Sequence, residues 1–243
     1  MGNVKTMISR VAVVPHPPLL VPELVGGAVA ETEPVRAACL AGARELASRS
    51  AEWVAVGVAP GPVRELSGAG GTFGGFGVDV RIALSDDATG EVDPDLPLPA
   101  LVAGWLRERV GARSVRVVLV PPDLPADECA ALGAGLASAP EGALLVLGDG
   151  SHRHGERAVG RPDERAAGFD GSVRAALAGA DPAALAALDP ELARELGAQG
   201  RAAWQVLAGV PGPWRCARSW FDAPFGVGYH LAVWERGLWD TGA

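Results

Sequence analysis

The chain lacks the groups on which several common chemistries depend. Of its 243 residues only Lys5 is a lysine and only Asn3 is an asparagine, so the remaining basic residues are arginines. No G-x-x-x-x-G-K-[ST] segment exists and no lysine is available to build one, which excludes a phosphate loop of that type. Cysteine is scarce. Cys39, Cys129 and Cys216 are far apart, odd in number and free of any C-x-x-C pairing. That pattern supports neither a zinc knuckle nor a disulfide framework; it suits small buried thiols in a reducing compartment. No serine stands in a G-x-S-x-G elbow, which disfavours a nucleophilic-serine hydrolase. No apolar run reaches the length of a membrane span. The apolar stretch after Lys5 and Arg10 is cut by Pro15, Pro17 and Pro18, unlike the unbroken core of a signal peptide. The expectation is a cytoplasmic chain that uses no membrane. Positive charge is in the minority, 21 Lys and Arg against 29 Asp and Glu, for a formal net charge of −8. A nucleic-acid binder needs a basic face to neutralise phosphates, so none is expected.

What is present points to a globular α/β domain. Hydrophobic residues make up 49% of the chain, enough for a sizeable core, and a charged fraction of 21% excludes bulk disorder. Largely apolar segments at residues 9–14, 53–59, 115–120 and 143–147 read as buried strands, the first three ending at prolines. A further strand is expected at 77–84. Helical periodicity occupies 22–50, with its regular part starting near Glu33 because Gly26, Gly27 and Pro34 interrupt it. More helices are expected at 98–110, 125–139, 162–178, 182–187 and 190–208. Residues 216–220 and 227–234 read as a closing antiparallel pair around the Pro224-Phe225-Gly226 turn. Residues 67–77 are dense in glycine and read as a mobile lid or a tight backbone. The alternation predicts a single domain, 1–243, whose mixed and mostly parallel sheet carries helices on both faces.

The four histidines are unevenly placed, and ligand sites of open α/β sheets lie past the carboxyl ends of strands. His16 follows the first strand, where neighbouring prolines fix the backbone, as a metal ligand or an acid/base requires. Asp149, Ser151, His152, His154 and Glu156 form the densest polar cluster directly after a core strand. Acid/base chemistry and divalent metals both favour such groups. The H-x-H pair can ligate one metal, or turn one ring inward and one to solvent. His230 lies within the last strand beside Tyr229, the only tyrosine, and alternation puts the two on opposite faces. Tyr229 and His230 are the candidates for contacting a substrate. Trp204, Trp214, Trp220, Trp234 and Trp239 gather aromatic surface in the C-terminal part, which suits a homodimer.

A strand ending at His16-Pro17, then a core strand leading into Asp149-Gly150-Ser151-His152, resembles the class III extradiol ring-cleaving dioxygenase superfamily, LigB type, and the related Memo-like proteins. Phe169-Asp170, Asp181 ahead of Leu185 and Leu188, and the closing Gly226-Val227-Gly228-Tyr229-His230 are similar too. The likeness spans nearly the whole chain and is greatest to an actinobacterial branch. It implies a non-haem Fe(II) held by two histidines and a carboxylate, with His16 as first ligand. His152 would act as acid/base on a catechol-type aromatic, supported by His154 and Asp149. The chain departs from the pattern in two places. The second strand ends Val58-Ala59-Pro60 with no histidine. The segment matching the third ligand reads Ala198-Gln199-Gly200-Arg201, with Glu191 and Glu195 the nearest carboxylates. The alternative is a metal-free member that binds a small molecule or a protein partner without dioxygenase activity.

Overall fold

The computed structural model describes residues 7–237. Lys5 and Trp239 lie outside them. In chain order the elements are β1 (Arg10–Val14), α1 (Val29–Ala47), β2 (Glu52–Val58), β3 (Arg64–Leu66), β4 (Gly70–Thr72), β5 (Arg81–Ala83), β6 (Val92–Asp93), α2 (Leu98–Val110), β7 (Ser114–Val120), α3 (Ala126–Leu136), β8 (Ala143–Leu147), α4 (Arg165–Gly179), α5 (Pro182–Ala186), α6 (Pro190–Leu196), α7 (Arg201–Ala208), β9 (Trp214–Asp222) and β10 (Tyr229–Arg236).

Seven strands form the main sheet in the order β3-β7-β2-β8-β1-β10-β9. The middle four, β7, β2, β8 and β1, run parallel, while β3, β10 and β9 pair antiparallel at the edges. The apolar runs explain the arrangement. β8 is buried at all five positions, and β2 at its five inner ones, so both faces of each strand need cover. On one face α1 and α2 supply Val35, Cys39, Leu46, Leu101 and Leu106 against Ala12, Ala55 and Leu145. On the other, α3 to α7 supply Cys129, Phe169, Val173, Leu196 and Trp204 against Val13, Val56 and Val146. The chain is thus α/β, a mixed sheet between two helical layers.

Helix α1 begins at Val29, ahead of the start expected near Glu33. Three short 3-10 turns between Pro18 and Ala28 lead into it. Pro34 sits in its second turn, where the missing N–H forfeits a single bond, toward Ala30. The helical segment expected over 190–208 is two helices. Gly197 ends α6 at φ +65, a left-handed conformation open to glycine, and the chain re-enters α7 at Arg201. The glycine-rich stretch is ordered backbone: β4 is the centre of a small sheet, β5-β4-β6. A Cβ on Gly71 would strike Leu96 and Leu101, so glycine there lets the small sheet close against α2.

Candidate functional site

Strands β1 and β8 are parallel neighbours, yet the chain leaves them toward opposite faces: β1 toward α1, β8 toward α4. Such a divergence opens a crevice at the carboxyl edge, where α/β sheets place ligands. His16 and Asp149 stand at this point. The His16 backbone N–H donates to Asp149 Oδ1 at 2.9 Å, and the ring Nδ1 lies 3.8 Å from the same oxygen, beyond hydrogen-bond range. His16 is 2% exposed and its Nδ1 is buried with no hydrogen-bond partner among the described residues. The ring lines a cavity of about 360 Å3 with Val58, Ala59, Arg64, Pro99 and Gln199. The turn that follows it is held by the buried Arg36 of α1, which donates from Nε to the Leu20 carbonyl at 2.8 Å.

Two further groups feel the Asp149 charge. Burial pushes the Tyr229 phenol well above its ordinary value, and Asp149 and Cys39 push it further. Burial raises the Cys39 thiol as well, again assisted by Asp149. Tyr229 therefore keeps its proton as a donor, and Cys39 stays a thiol, so neither acts as an anionic nucleophile. In sequence Cys39 reads as a buried small hydrophobe. Its place in α1 puts it near Asp149, a relation no short motif encodes.

Two of the remaining histidines, His154 and His230, belong to a different group on the opposite face. His154 Nε2 and His230 Nε2 meet the two oxygens of Asp170, at 2.6 and 2.9 Å. The Ser151 N–H donates to the same carboxylate at 3.0 Å. Asp170 is fully buried, and backbone surrounds it closely: a Cβ on Gly150 or Gly228 would overlap its side chain. Burial alone would raise this carboxyl. The hydrogen bonds from His154 and His230 outweigh burial and hold it below the ordinary carboxylate value. The His230 ring also packs against Phe221 and edge-on to Trp204, with centroids 4.7 and 5.5 Å away. Tyr229 and His230 sit on opposite faces of β10, as alternation requires, so they do not line one pocket.

His152 occupies a third position. Its N–H donates to the Leu196 carbonyl at 3.2 Å, and its ring lies over Gly197, where any Cβ would overlap it. It is not among the residues that line the His16 cavity or the one beside α6. Burial, with Arg153 adding to it, lowers the His152 imidazole from its ordinary value. An NMR titration of the ring should therefore show a midpoint below about 6.5. The linked stability is complete above that unfolded value and is lost as the pH falls through the folded one. A midpoint above 6.5 would contradict the packing against Gly197.

Among the described residues no group of three His, Cys, Asp or Glu side chains is placed to hold a metal ion. No helix of the described residues is long and apolar enough to cross a membrane. No family model and no curated protein matches the chain. Among solved structures it is similar to uncharacterized protein JW3007 from Escherichia coli K12, with 14% identity over 94% of this chain and 100% of that one and a TM-score of 0.44.

Proposed function

We propose that the chain is a member of the LigB-like and Memo-like group, related to the extradiol dioxygenases, that works without iron. It binds a small aromatic or carbonyl compound in the cavity that His16 lines with Val58, Ala59 and Pro99, at the carboxyl edge of the sheet, and moves a proton with His16. The observation that carries this reading is the pairing of His16 with Asp149: a buried imidazole, backbone-fixed against a carboxylate, with an unpartnered ring nitrogen. A facial Fe(II) site takes two histidines and a carboxylate. Here the position after β2 holds Ala59 and Pro60, and the segment before α7 offers Gln199. The donor set supports proton transfer rather than metal chemistry.

In this reading Asp149 holds the backbone at His16 and steadies the positive charge that forms as the ring takes a proton. Tyr229, kept neutral by its surroundings, supplies a hydroxyl donor on the same side of the sheet. The three cysteines are free, which suits the reducing cytoplasm. The test is solvent-deuterium exchange into a panel of small enolisable carbonyl and phenolic compounds, followed by NMR. His16→Ala and Asp149→Asn should each slow the exchange, His16→Ala by roughly 10²-fold or more. Oxygen-consuming ring cleavage of a catechol by protein loaded anaerobically with Fe(II) would overturn the reading, as would exchange indifferent to His16.

A further inference from the structure

A second cavity, of about 330 Å3, shares Gln199 with the His16 crevice and lies between the end of β7 and the α6–α7 junction. Pro122, Pro190, Ala193 and Ala198 give it apolar walls, and Arg201 lines it from the first turn of α7. We infer that this cavity is a binding site for a small carboxylic acid with an apolar body, its carboxylate held by the Arg201 guanidinium.

Arg201 is only 3% exposed, and no carboxylate lies within ion-pair distance of it among the described residues. A buried arginine without a counter-charge is unusual, because removing a cation from water is costly unless an anion or several acceptors compensate. Three acceptors are present. Nη1 donates to the Leu124 carbonyl at 2.6 Å and to Gln205 Oε1 at 2.9 Å, and Nη2 donates to the Pro122 carbonyl. A guanidinium has five N–H donors. Nε–H and one Nη2 hydrogen remain, two donors, as many as a carboxylate accepts from one arginine.

The group is also preorganised. Gln205, which anchors it, is itself tied through Nε2 to the Ala186 and Leu188 carbonyls, both at 3.0 Å. A ligand would not have to order a flexible chain, which is the main cost of recruiting a surface arginine. Burial works against the cation, and a bound carboxylate would reverse that. Two other carboxylates touch the cavity. Glu191 is paired with Arg194, and Asp123 acts on Arg201 only at a distance beyond an ion pair. The volume sits at the lower end of ligand pockets, and the walls are mostly apolar, which together select a short aliphatic acid over a sugar acid or a phosphate ester.

The inference does not depend on the chemistry at His16, because that residue is not part of this cavity. Calorimetric titration with isovalerate and hexanoate, each beside its amide, tests it. The acids should bind the wild-type chain at least roughly tenfold more tightly than the amides, since only the acids meet the cation with charge-assisted bonds. Ala198→Leu should abolish binding by filling the cavity while leaving Arg201 and its three acceptors intact, with the fold checked by circular dichroism. His16→Ala should bind the acids like wild type. Arg201→Lys should weaken acids and leave amides unchanged. Failure of both acids to bind, equal affinity for acid and amide, or full binding by a folded Ala198→Leu variant would reduce Arg201 to a clamp on backbone carbonyls and overturn the assignment.

Discussion

Replacing Asp170 by alanine is expected to cost the protein about 3–5 kcal/mol, the range for breaking a buried charged group away from its partners. Three donors converge on that carboxylate: His154 Nε2, His230 Nε2 and the Ser151 N–H. Their removal leaves His230, 1% exposed, without the acceptor that satisfies it. For a chain of this length the midpoint of thermal unfolding should fall by roughly 6–20 °C. Asp170→Asn keeps the shape but offers a single acceptor oxygen, so it should lose less. The pH dependence follows from the lowered folded value. Asp170 contributes fully above its unfolded pKa, near 3.9, and that contribution disappears as the pH falls through the folded pKa. Urea denaturation of wild type and Asp170→Asn between about pH 3 and pH 6 should show stability falling toward acid more steeply in the wild type. Parallel curves, or an Asp170→Ala protein as stable as its parent, would remove Asp170 from its structural role.

The second large effect is expected from Gly197→Ala. The residue sits at φ +65, where a non-glycine side chain costs about 1–2 kcal/mol, and its new methyl would meet the His152 ring. Together the two should cost about 2–5 kcal/mol, the overlap adding about 1–3. The ring must move for the methyl to fit, and leaving its packed position restores its access to water. The His152 titration midpoint should then rise toward about 6.5. An unchanged midpoint in a folded Gly197→Ala protein would show that the ring is not held by this glycine.

Much of the sheet is legible in the sequence because its strands are buried on both faces and read as continuous apolar runs. Helix α2 and strand β8 fall on the expected residues, 98–110 and 143–147. Ends set by backbone conformation are harder. A lone proline in the second turn of α1 reads like a boundary, though it forfeits one hydrogen bond there. The break at Gly197 lies inside an otherwise uniform helical pattern. The candidate residues stand out by type and by their position after strands, which places His16 and Asp149 at one crevice. Which histidine faces which carboxylate is a long-range matter. Asp170 lies 60 residues from His230 in sequence, inside a helix, and nothing in the Phe169-Asp170 pair marks it as the acceptor of two imidazoles. Arg201 reads like an absence, a missing ligand in a loop, whereas it starts a buried helix and donates to two carbonyls of the β7–α3 loop and to Gln205 one turn on.

The Asp170 cluster also bears on how the sheet assembles. β10 is clamped between β1 and β9, and its centre, Leu231 to Trp234, is apolar and buried on both faces, so hydrophobicity there scarcely distinguishes one alignment from the next. A slip by a single residue would turn every side chain of the strand over. His230 would move to the side where Tyr229 belongs, and Asp170 would be left as a buried carboxylate short of a donor. The hydrogen bond between His230 and Asp170 across the helix–sheet interface therefore favours the native register, making a misaligned sheet costly where its apolar surface would have tolerated the error.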